Sequence, residues 1–319
     1  MMRFFIAIFI FIMLFISLIF IPFNISNTVI IIEPGKSTGE IVHTLKEENI
    51  ILSELHGKLA TGYFALKGKY LKFGEYEFTE NKISIFNVIT KLIEGKVKIN
   101  MVTIPEGLTN YEIYKLLESL PKLKGEITYN PKEGYLMPET YDYVYGEKRN
   151  DLIKKMERKQ KEFLNIAWKE RNPTLSTLKT FDEIIIFASI VEKETGFGVE
   201  RDLVSSVYHN RLMKNMILQA DPTIIYALTN GKGKLDRKLL RSDLQIDSKY
   251  NTYKYSGLPP TAICNPGKAS IIATLNPAKT NYIYFVTSGS GGHNFSETLK
   301  EHNENVRKLR ILERLRNKK

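Results

Sequence analysis

The first feature of the chain is a near-unbroken apolar run over residues 4–23, in which Ser17 is the only polar residue. About 20 apolar residues suffice for a helix to cross the roughly 30 Å hydrocarbon core of a bilayer. No small-residue cleavage site follows the run, as a secretory signal peptide would require. We therefore expect an uncleaved transmembrane helix within residues 1–27. Arg3 precedes the run and Lys36 is the first basic residue after it, which favours a cytoplasmic N-terminus and an exported body.

Hydrophobic periodicity over residues 28–104 predicts a small module of mixed helices and strands. Ser37 with Glu40, and Ser53 further on, are helix-start signals, and Gly95 is a helix-stop signal. The predicted elements are strands at 28–32, 72–78 and 97–104 and helices at 37–48, from 53 onward, and at 84–94. Turn residues at Pro105 mark the end of this module.

Residues 105–319 predict a second, larger mixed domain, so the predicted fold class is α+β. A capping box of Thr109 and Glu112 starts one helix, and a long charged helix follows at 151–170. Residues 184–191 are apolar on every side, which is typical of a fully buried helix. Residues 282–287 predict a strand, and the Asp221-Pro222 pair predicts a helix with Asp221 as its N-cap.

Composition and charge exclude several function classes. The single cysteine, Cys264, cannot form an internal disulfide, and the five histidines show no zinc-ligand spacing, so we expect no metal. The glycines near residue 290 fit neither a dinucleotide nor a P-loop motif, and we expect no cofactor. The net charge of +11 is concentrated in the last twenty residues, with eight basic against three acidic. No nucleic-acid motif accompanies these residues. The basic segment could therefore bind an anionic wall polymer or a lipid headgroup, or it could be a solvated helix whose leucines turn inward.

The strongest candidate for chemistry is Glu194, at the end of the predicted buried helix and just before Gly196. The helix dipole disfavours an anion at a C-terminus and raises the pKa of a carboxyl there, as a general acid needs. Glu194 follows Val191 by three residues and Phe187 by seven, so it projects from the apolar stripe. Glu192 lies about 200° further around the helix. On spacing alone, both glutamates could also be surface charges, with Glu192 paired to Lys193 or Arg201.

Short polar, aromatic and glycine-containing motifs recur in order along most of the chain: Glu133-Gly134-Tyr135-Leu136-Met137-Pro138-Glu139-Thr140-Tyr141, Glu192-Lys193-Glu194-Thr195, Glu200-Arg201-Asp202, Asn210-Arg211-Leu212, Leu218-Gln219-Ala220-Asp221-Pro222-Thr223, Tyr250-Asn251-Thr252-Tyr253, Gly257-Leu258-Pro259-Pro260 and Gly291-Gly292-His293-Asn294-Phe295. Taken alone, the polar and aromatic loop at 250–253 and the rigid turn at 257–260 could be ordinary turn chemistry. Together the motifs resemble those of the MltG (YceG-like) endolytic murein transglycosylase family. The resemblance implies an anchor at 1–27, a LysM-like module at 28–104 and a YceG-like catalytic domain at 105–319.

The resemblance also implies a reaction. It is cleavage, without water, of the bond between N-acetylmuramic acid and N-acetylglucosamine in nascent peptidoglycan strands, leaving a 1,6-anhydro end. Glu194 would act first as general acid and then as base, so no second carboxylate is needed. The implied substrate-binding residues are Gln219, Asn251, Thr252 and Tyr253, whereas Asp221 and Glu192 keep a structural interpretation.

The implied location is the bacterial cytoplasmic membrane, crossed once, with the catalytic body outside and no nucleic-acid partner. Peptidoglycan synthases are candidate partners. Two alternatives stay open: a hydrolytic muramidase and a non-catalytic scaffold that binds the wall.

Overall fold

The structure, a computed structural model, describes residues 2–195, 198–289 and 291–316; the predicted helix stop at Gly196 lies outside these residues. The chain divides into two compact units, one formed by Met1–Met101 with Asp142–Glu147 and the other by Val102–Tyr141 with Lys148–Lys319. Helices and small sheets occur together in the described chain, which confirms the predicted α+β class. The domain boundary expected after residue 104 stays a prediction.

The elements up to residue 103 follow the predicted order closely. Ser37, Ser53 and Ser84 each accept a hydrogen bond as helix N-caps, and Gly95 ends its helix in the left-handed conformation at φ 72°. Strands β2 and β3 pair antiparallel, as do β1 and β4. The elements are α1 (Met2–Ser17), β1 (Phe23–Asn24), β2 (Thr28–Ile32), α2 (Thr38–Glu47), α3 (Glu54–Ala65), β3 (Gly74–Phe78), β4 (Lys82–Ile83), α4 (Ile85–Glu94) and β5 (Ile99–Thr103).

The predicted transmembrane helix over residues 4–23 is not found. Helix α1 covers 16 residues, about 24 Å at the usual rise, whereas a bilayer core needs about 30 Å. After Ser17 the chain turns, because Ile19 is drawn into the core of the first unit and its carbonyl accepts from the Phe86 amide at 3.0 Å. Among the described residues, no helix combines the length and the apolarity that crossing a membrane requires.

The second unit contains most of the helices. Its elements are α5 (Asn110–Glu118), the first two residues of β6 (Thr140–Val144), α6 (Arg149–Lys169), α7 (Phe181–Glu194), α8 (Arg201–Met213), α9 (Asp221–Thr229), α10 (Lys268–Leu275), β7 (Tyr284–Thr287), β8 (His293–Ser296) and α11 (Leu299–Arg316). Strands β7 and β8 form an antiparallel hairpin. Helix α11 buries none of its residues fully, and Leu299, Leu312 and Leu315 are exposed, so the alternative in which its leucines turn inward is wrong for these three.

Helix α7 is the centre of the second unit. It begins with a capping box between Thr180 and Glu183 and packs against α8, α9 and α10. Residues from Ile184 to Val191 are apolar or small and nearly all are buried, as the sequence predicts. The core therefore fixes the axis of α7 and places its last residue, Glu194, at the end of a rigid element.

Candidate active site

Glu194 opens onto a cavity of about 440 Å³ in the second unit. Helices α7, α8 and α11, the start of α9 and strand β7 contribute to its wall. The lining is mostly polar and aromatic: Glu194, Tyr208, Arg211, Gln219, Asp221, Tyr253, Tyr284, Phe285, Leu299, His302 and Asn303. Such a lining suits sugar rings, because aromatic faces contact C–H surfaces while amides and hydroxyls pair with the ring substituents.

The local structure explains why the Glu194 carboxyl is fixed. Thr195 closes α7, its amide and its hydroxyl both donating to the Val191 carbonyl, at 3.2 and 2.7 Å. The Tyr208 hydroxyl donates to Glu194 Oε1 at 2.9 Å. Phe187 and Phe285 hold the Tyr208 ring edge-to-face, with centroids 6.3 and 5.8 Å away. Within the described chain no group donates to Oε2, so that oxygen is available to a substrate.

Burial raises the pKa of Glu194 to about 7. The Tyr208 hydrogen bond and the Arg211 guanidinium lower the pKa, and the nearby Asp221 charge raises it, but removal from water is the largest effect. Near neutral pH the carboxyl is therefore present in both its protonated and its ionised form. It can donate a proton in one step and accept one in the next.

Arg211 is the cation of the cavity, and it is itself anchored to the backbone. Its Nε donates to the Ile283 carbonyl at 2.7 Å and its Nη1 to the Leu218 carbonyl at 2.5 Å. The side chain is 7% exposed. A guanidinium held this firmly keeps a positive charge beside Glu194 and joins the segment before α9 to the strand β7.

The structure brings two of the four predicted substrate-binding residues to the cavity. Gln219 and Tyr253 both line it, and the Tyr253 hydroxyl donates to Asp221 Oδ1 at 2.5 Å. A role in substrate binding stays a prediction for both.

Asn251 and Thr252 lie beneath the wall rather than in it. Asn251 is fully buried, and its amide donates to the Leu244 and Ile246 carbonyls at 3.0 and 2.8 Å. Thr252 is 2% exposed, and its hydroxyl accepts from the Ala220 amide at 3.0 Å. Their side chains hold the loop together, and the structure does not bring them to the cavity.

The predicted capping role of Asp221 is wrong by one position. Ala220 is the N-cap of α9, and Asp221 is its first helical residue, with no capping hydrogen bond from its side chain. Ala220 is the N-cap because its backbone is extended, at φ −94° and ψ 109°, with its amide donating to the Thr252 hydroxyl. The Asp221 carboxylate instead faces the cavity that contains Glu194.

Glu192 has the structural role that the sequence favoured for it. Its Oε2 accepts from the Gly267 amide at 3.0 Å and from the Ser270 hydroxyl at 2.7 Å, at the start of α10. Its Oε1 lies 3.9 Å from Arg201 Nη2, one of the two pairings left open, but its side chain is buried rather than a surface charge. Glu192 thus joins α7 to α10 and is absent from the residues that line the cavity.

Sequence reasoning missed part of the wall. Tyr208 comes fourteen residues after Glu194, and no motif marks it as a neighbour of that residue. His302 lies on the C-terminal basic helix, for which sequence reasoning considered only the charge and the leucines. The His302 ring stacks on Tyr284 at 5.1 Å between centroids. Its Nδ1 is buried without a hydrogen-bond partner in the described chain. Only the three-dimensional fold brings these residues beside Glu194.

No group of three or more histidine, cysteine, aspartate or glutamate residues in the described ranges is arranged to hold a metal ion. The cavity offers Glu194, a carboxyl with a pKa near neutrality, among polar and aromatic groups. That arrangement is typical of enzymes that transfer a proton through a single side chain.

Comparison with known proteins identifies the family. A sequence model of the YceG-like family matches residues 30–308, and the chain belongs to that family. The endolytic murein transglycosylase of Bacillus subtilis (strain 168) is 31% identical over 305 residues, covering 86% of this chain and 82% of the relative. The endolytic murein transglycosylase of Streptococcus pneumoniae serotype 2 (strain D39 / NCTC 7466) is 34% identical over 201 residues, 60% of this chain and 34% of that one. The crystal structure of a YceG-like protein from Listeria monocytogenes superposes with a TM-score of 0.55 at 29% identity, covering 88% of this chain and 98% of that one.

Proposed function

We propose that this protein is an endolytic murein transglycosylase, a lyase that cuts peptidoglycan glycan strands internally. The observation that carries the proposal is Glu194, whose pKa is raised to about 7 in a cavity lined with polar and aromatic side chains. The names of the relatives supply the substrate class. The bond cleaved is the β-1,4 bond between N-acetylmuramic acid and N-acetylglucosamine.

One carboxyl performs both proton transfers in this mechanism. Protonated Glu194 gives its proton to the glycosidic oxygen as the C1–O bond breaks, and the acetamido group of the substrate stabilises the positive charge at C1. The Glu194 carboxylate then takes the proton of the C6 hydroxyl while O6 bonds to C1. The product is a 1,6-anhydro ring, no water is consumed, and Glu194 is protonated again. A pKa near 7 suits both steps, since neither form of the carboxyl is rare at neutral pH.

A hydrolytic muramidase is the second candidate, and Asp221 is the observation that favours it. Ordinary glycosidases use two carboxyl groups flanking the bond, and Asp221 lies in the same cavity as Glu194. The two reactions leave different ends: hydrolysis leaves a reducing sugar, and the lyase leaves a 1,6-anhydro sugar. Digestion of purified glycan strands with mass spectrometry of the new ends separates them, and 1,6-anhydro ends are the expected result.

We further propose that the module at residues 28–104 helps to hold the glycan without taking part in the chemistry. A groove of about 400 Å³ in the first unit supports this role. Its lining combines two lysines and one tyrosine with small and aliphatic side chains: Thr38, Gly39, Lys58, Thr61, Gly62, Ala65, Lys69, Tyr70, Leu71 and Ile93.

Tyr70 is the residue to test in this groove, because it is 66% exposed and free to stack on a sugar. Tyr70→Ala should weaken the retention of the protein on insoluble peptidoglycan and leave the turnover number unchanged. Tyr63→Ala is the control, since Tyr63 is also exposed but lies outside the groove. Equal retention of both variants and the parent would leave the module as a spacer.

The catalytic body should work outside the cytoplasmic membrane, where peptidoglycan is assembled. We propose that the apolar segment at residues 4–23 attaches the chain to that membrane. Along α1 the side chains of Phe5, Phe9 and Phe11 are each more than 60% exposed, and a surface of this kind needs an apolar cover. A C-terminal reporter should behave as exported and stay with the membrane fraction. A mature chain that begins near Ile25 would instead identify the segment as a signal peptide.

A further inference from the structure

Gln219 has a backbone conformation that its residue type disfavours. Its φ is +50°, in the left-handed region, where a side chain other than glycine is uncommon. Strain of this kind persists only where the surrounding structure enforces it, and it is concentrated at functional sites. Gln219 lines the Glu194 cavity, so what enforces its conformation bears on the site.

Three hydrogen bonds fix the backbone around Gln219. Its own amide donates to the Thr252 carbonyl at 3.0 Å, and the next amide, of Ala220, donates to the Thr252 hydroxyl at 3.0 Å. On the other side, the Leu218 carbonyl accepts from Arg211 Nη1 at 2.5 Å. Leu218 and Ala220 are both fully buried. The chain is therefore held before and after Gln219, and Gln219 itself is the residue left exposed.

Within the described residues the side-chain carbonyl and NH₂ groups of Gln219 make no hydrogen bond, although the amides of Gln219 and Ala220 and the carbonyl of Leu218 are all bonded. An exposed glutamine on an ordinary loop would lose little by relaxing to negative φ. The hydrogen bonds that Thr252 accepts and the one that Arg211 donates prevent that relaxation and keep an acceptor and two donors at the cavity.

We propose that Thr252 and Arg211 are positioning residues, which hold Gln219 in its left-handed conformation so that its amide binds the substrate beside Glu194. The nature of the ligand, a glycan rich in hydroxyl and amide groups, rests on the proposed function. Thr252 acts here through Gln219 and does not touch the substrate.

A double-mutant cycle on glycan cleavage tests this coupling. Thr252→Val removes the hydroxyl but keeps the shape, and we expect kcat/KM to fall by about tenfold, the equivalent of one hydrogen bond. Thr252→Ser retains the hydroxyl and should restore kcat/KM. In a Gln219→Ala background, Thr252→Val should lower kcat/KM no further, although it should lower the melting temperature as before. Thr229→Val, which removes a half-buried hydroxyl at the other end of α9, should leave kcat/KM unchanged.

A comparison of two variants tests the strain itself. Glycine adopts φ +50° freely and alanine does not, so Gln219→Gly should melt at a higher temperature than Gln219→Ala. The two variants should show the same loss of kcat/KM, because both lack the side-chain amide. If Thr252→Val does not fold, the comparison of Gln219→Gly with Gln219→Ala still tests whether the conformation of Gln219 is strained. Independent effects of Thr252→Val and Gln219→Ala on kcat/KM, or equal melting temperatures for the two Gln219 variants, would overturn the proposal. A parent protein that does not cut glycan strands would instead contradict the proposed function.

Discussion

The hydrogen bond from Tyr208 to Glu194 lowers the pKa of that carboxyl, and removing it gives a prediction with a definite sign. The bond stabilises the ionised carboxylate and so lowers the pKa of Glu194 against the larger effect of burial. Tyr208→Phe removes the hydroxyl and keeps the ring that packs on Phe187 and Phe285. The pKa of Glu194 should therefore rise above its value of about 7.

The size of the shift follows from the strength of the bond. A hydrogen bond to a charged group contributes about 1.5–3 kcal/mol, and one pKa unit corresponds to about 1.4 kcal/mol. We expect the pKa to rise by about one to two units. Because the proposed reaction begins with protonated Glu194, the fall of kcat/KM on the alkaline side should move to higher pH by the same amount. The variant should then keep more of its own maximal activity than the parent does at alkaline pH.

The measurement is a pH profile of kcat/KM, which reports the ionisation of the free enzyme. Tyr141→Phe is the matched control, since Tyr141 is also buried but donates to the Met137 carbonyl outside the cavity. Its profile should coincide with that of the parent. An alkaline limb for Tyr208→Phe that stays in place or moves to lower pH would refute the assignment of that limb to Glu194.

Two further predictions concern stability. Burial raises the pKa of Glu133 to about 7, so the folded protein binds a proton there that the unfolded chain releases near pH 4.5, and this contribution to stability is lost as the pH rises through 7. Relative to the parent, Glu133→Gln should therefore gain up to about 3 kcal/mol in unfolding free energy between pH 5 and 8; denaturant titrations at both values check it, and a constant difference would contradict it. Gly134→Ala should cost more than about 3 kcal/mol, since its Cβ would lie 2.4 Å from Ile185 Cγ2 and 2.7 Å from Ala262 Cβ. Gly125→Ala, also at positive φ but with nothing within 4 Å, should cost about 1 kcal/mol, and equal costs in thermal melts would refute the packing argument.

Local signals in the sequence were sufficient to predict many of the elements. The side chains of Ser37, Ser53 and Thr109 cap the helices that they were predicted to begin. These signals are reliable because each depends on hydrogen bonds within one turn of the helix. The extent of the predicted transmembrane helix could not be read in this way, since the burial of Ile19 by residues distant in sequence decides where α1 ends.

The candidate site could be predicted only in part. The end of a buried helix, a local property of the sequence, made Glu194 a candidate, and the family resemblance gave it the role of general acid, which stays a prediction. Asn251 and Thr252 belong to the same short motif as Tyr253, and no local pattern tells which side chain faces the cavity and which ones hold the loop. Tyr208 reaches Glu194 only because α8 packs on α7. The spacing of residues along the sequence does not predict that packing.

The most direct test of the central claim is the analysis of glycan ends made by the parent, by Glu194→Gln and by Glu192→Gln. Glutamine is nearly isosteric with glutamate but can neither donate nor recover the proton. Glu194→Gln should therefore lose activity by at least about 10²- to 10⁴-fold while melting within a few degrees of the parent. Glu192→Gln, altered on the α10 side of the same helix, should cost much less, and the parent should leave 1,6-anhydro ends. Near-parent activity of Glu194→Gln, or loss of activity only in Glu192→Gln, would contradict the account.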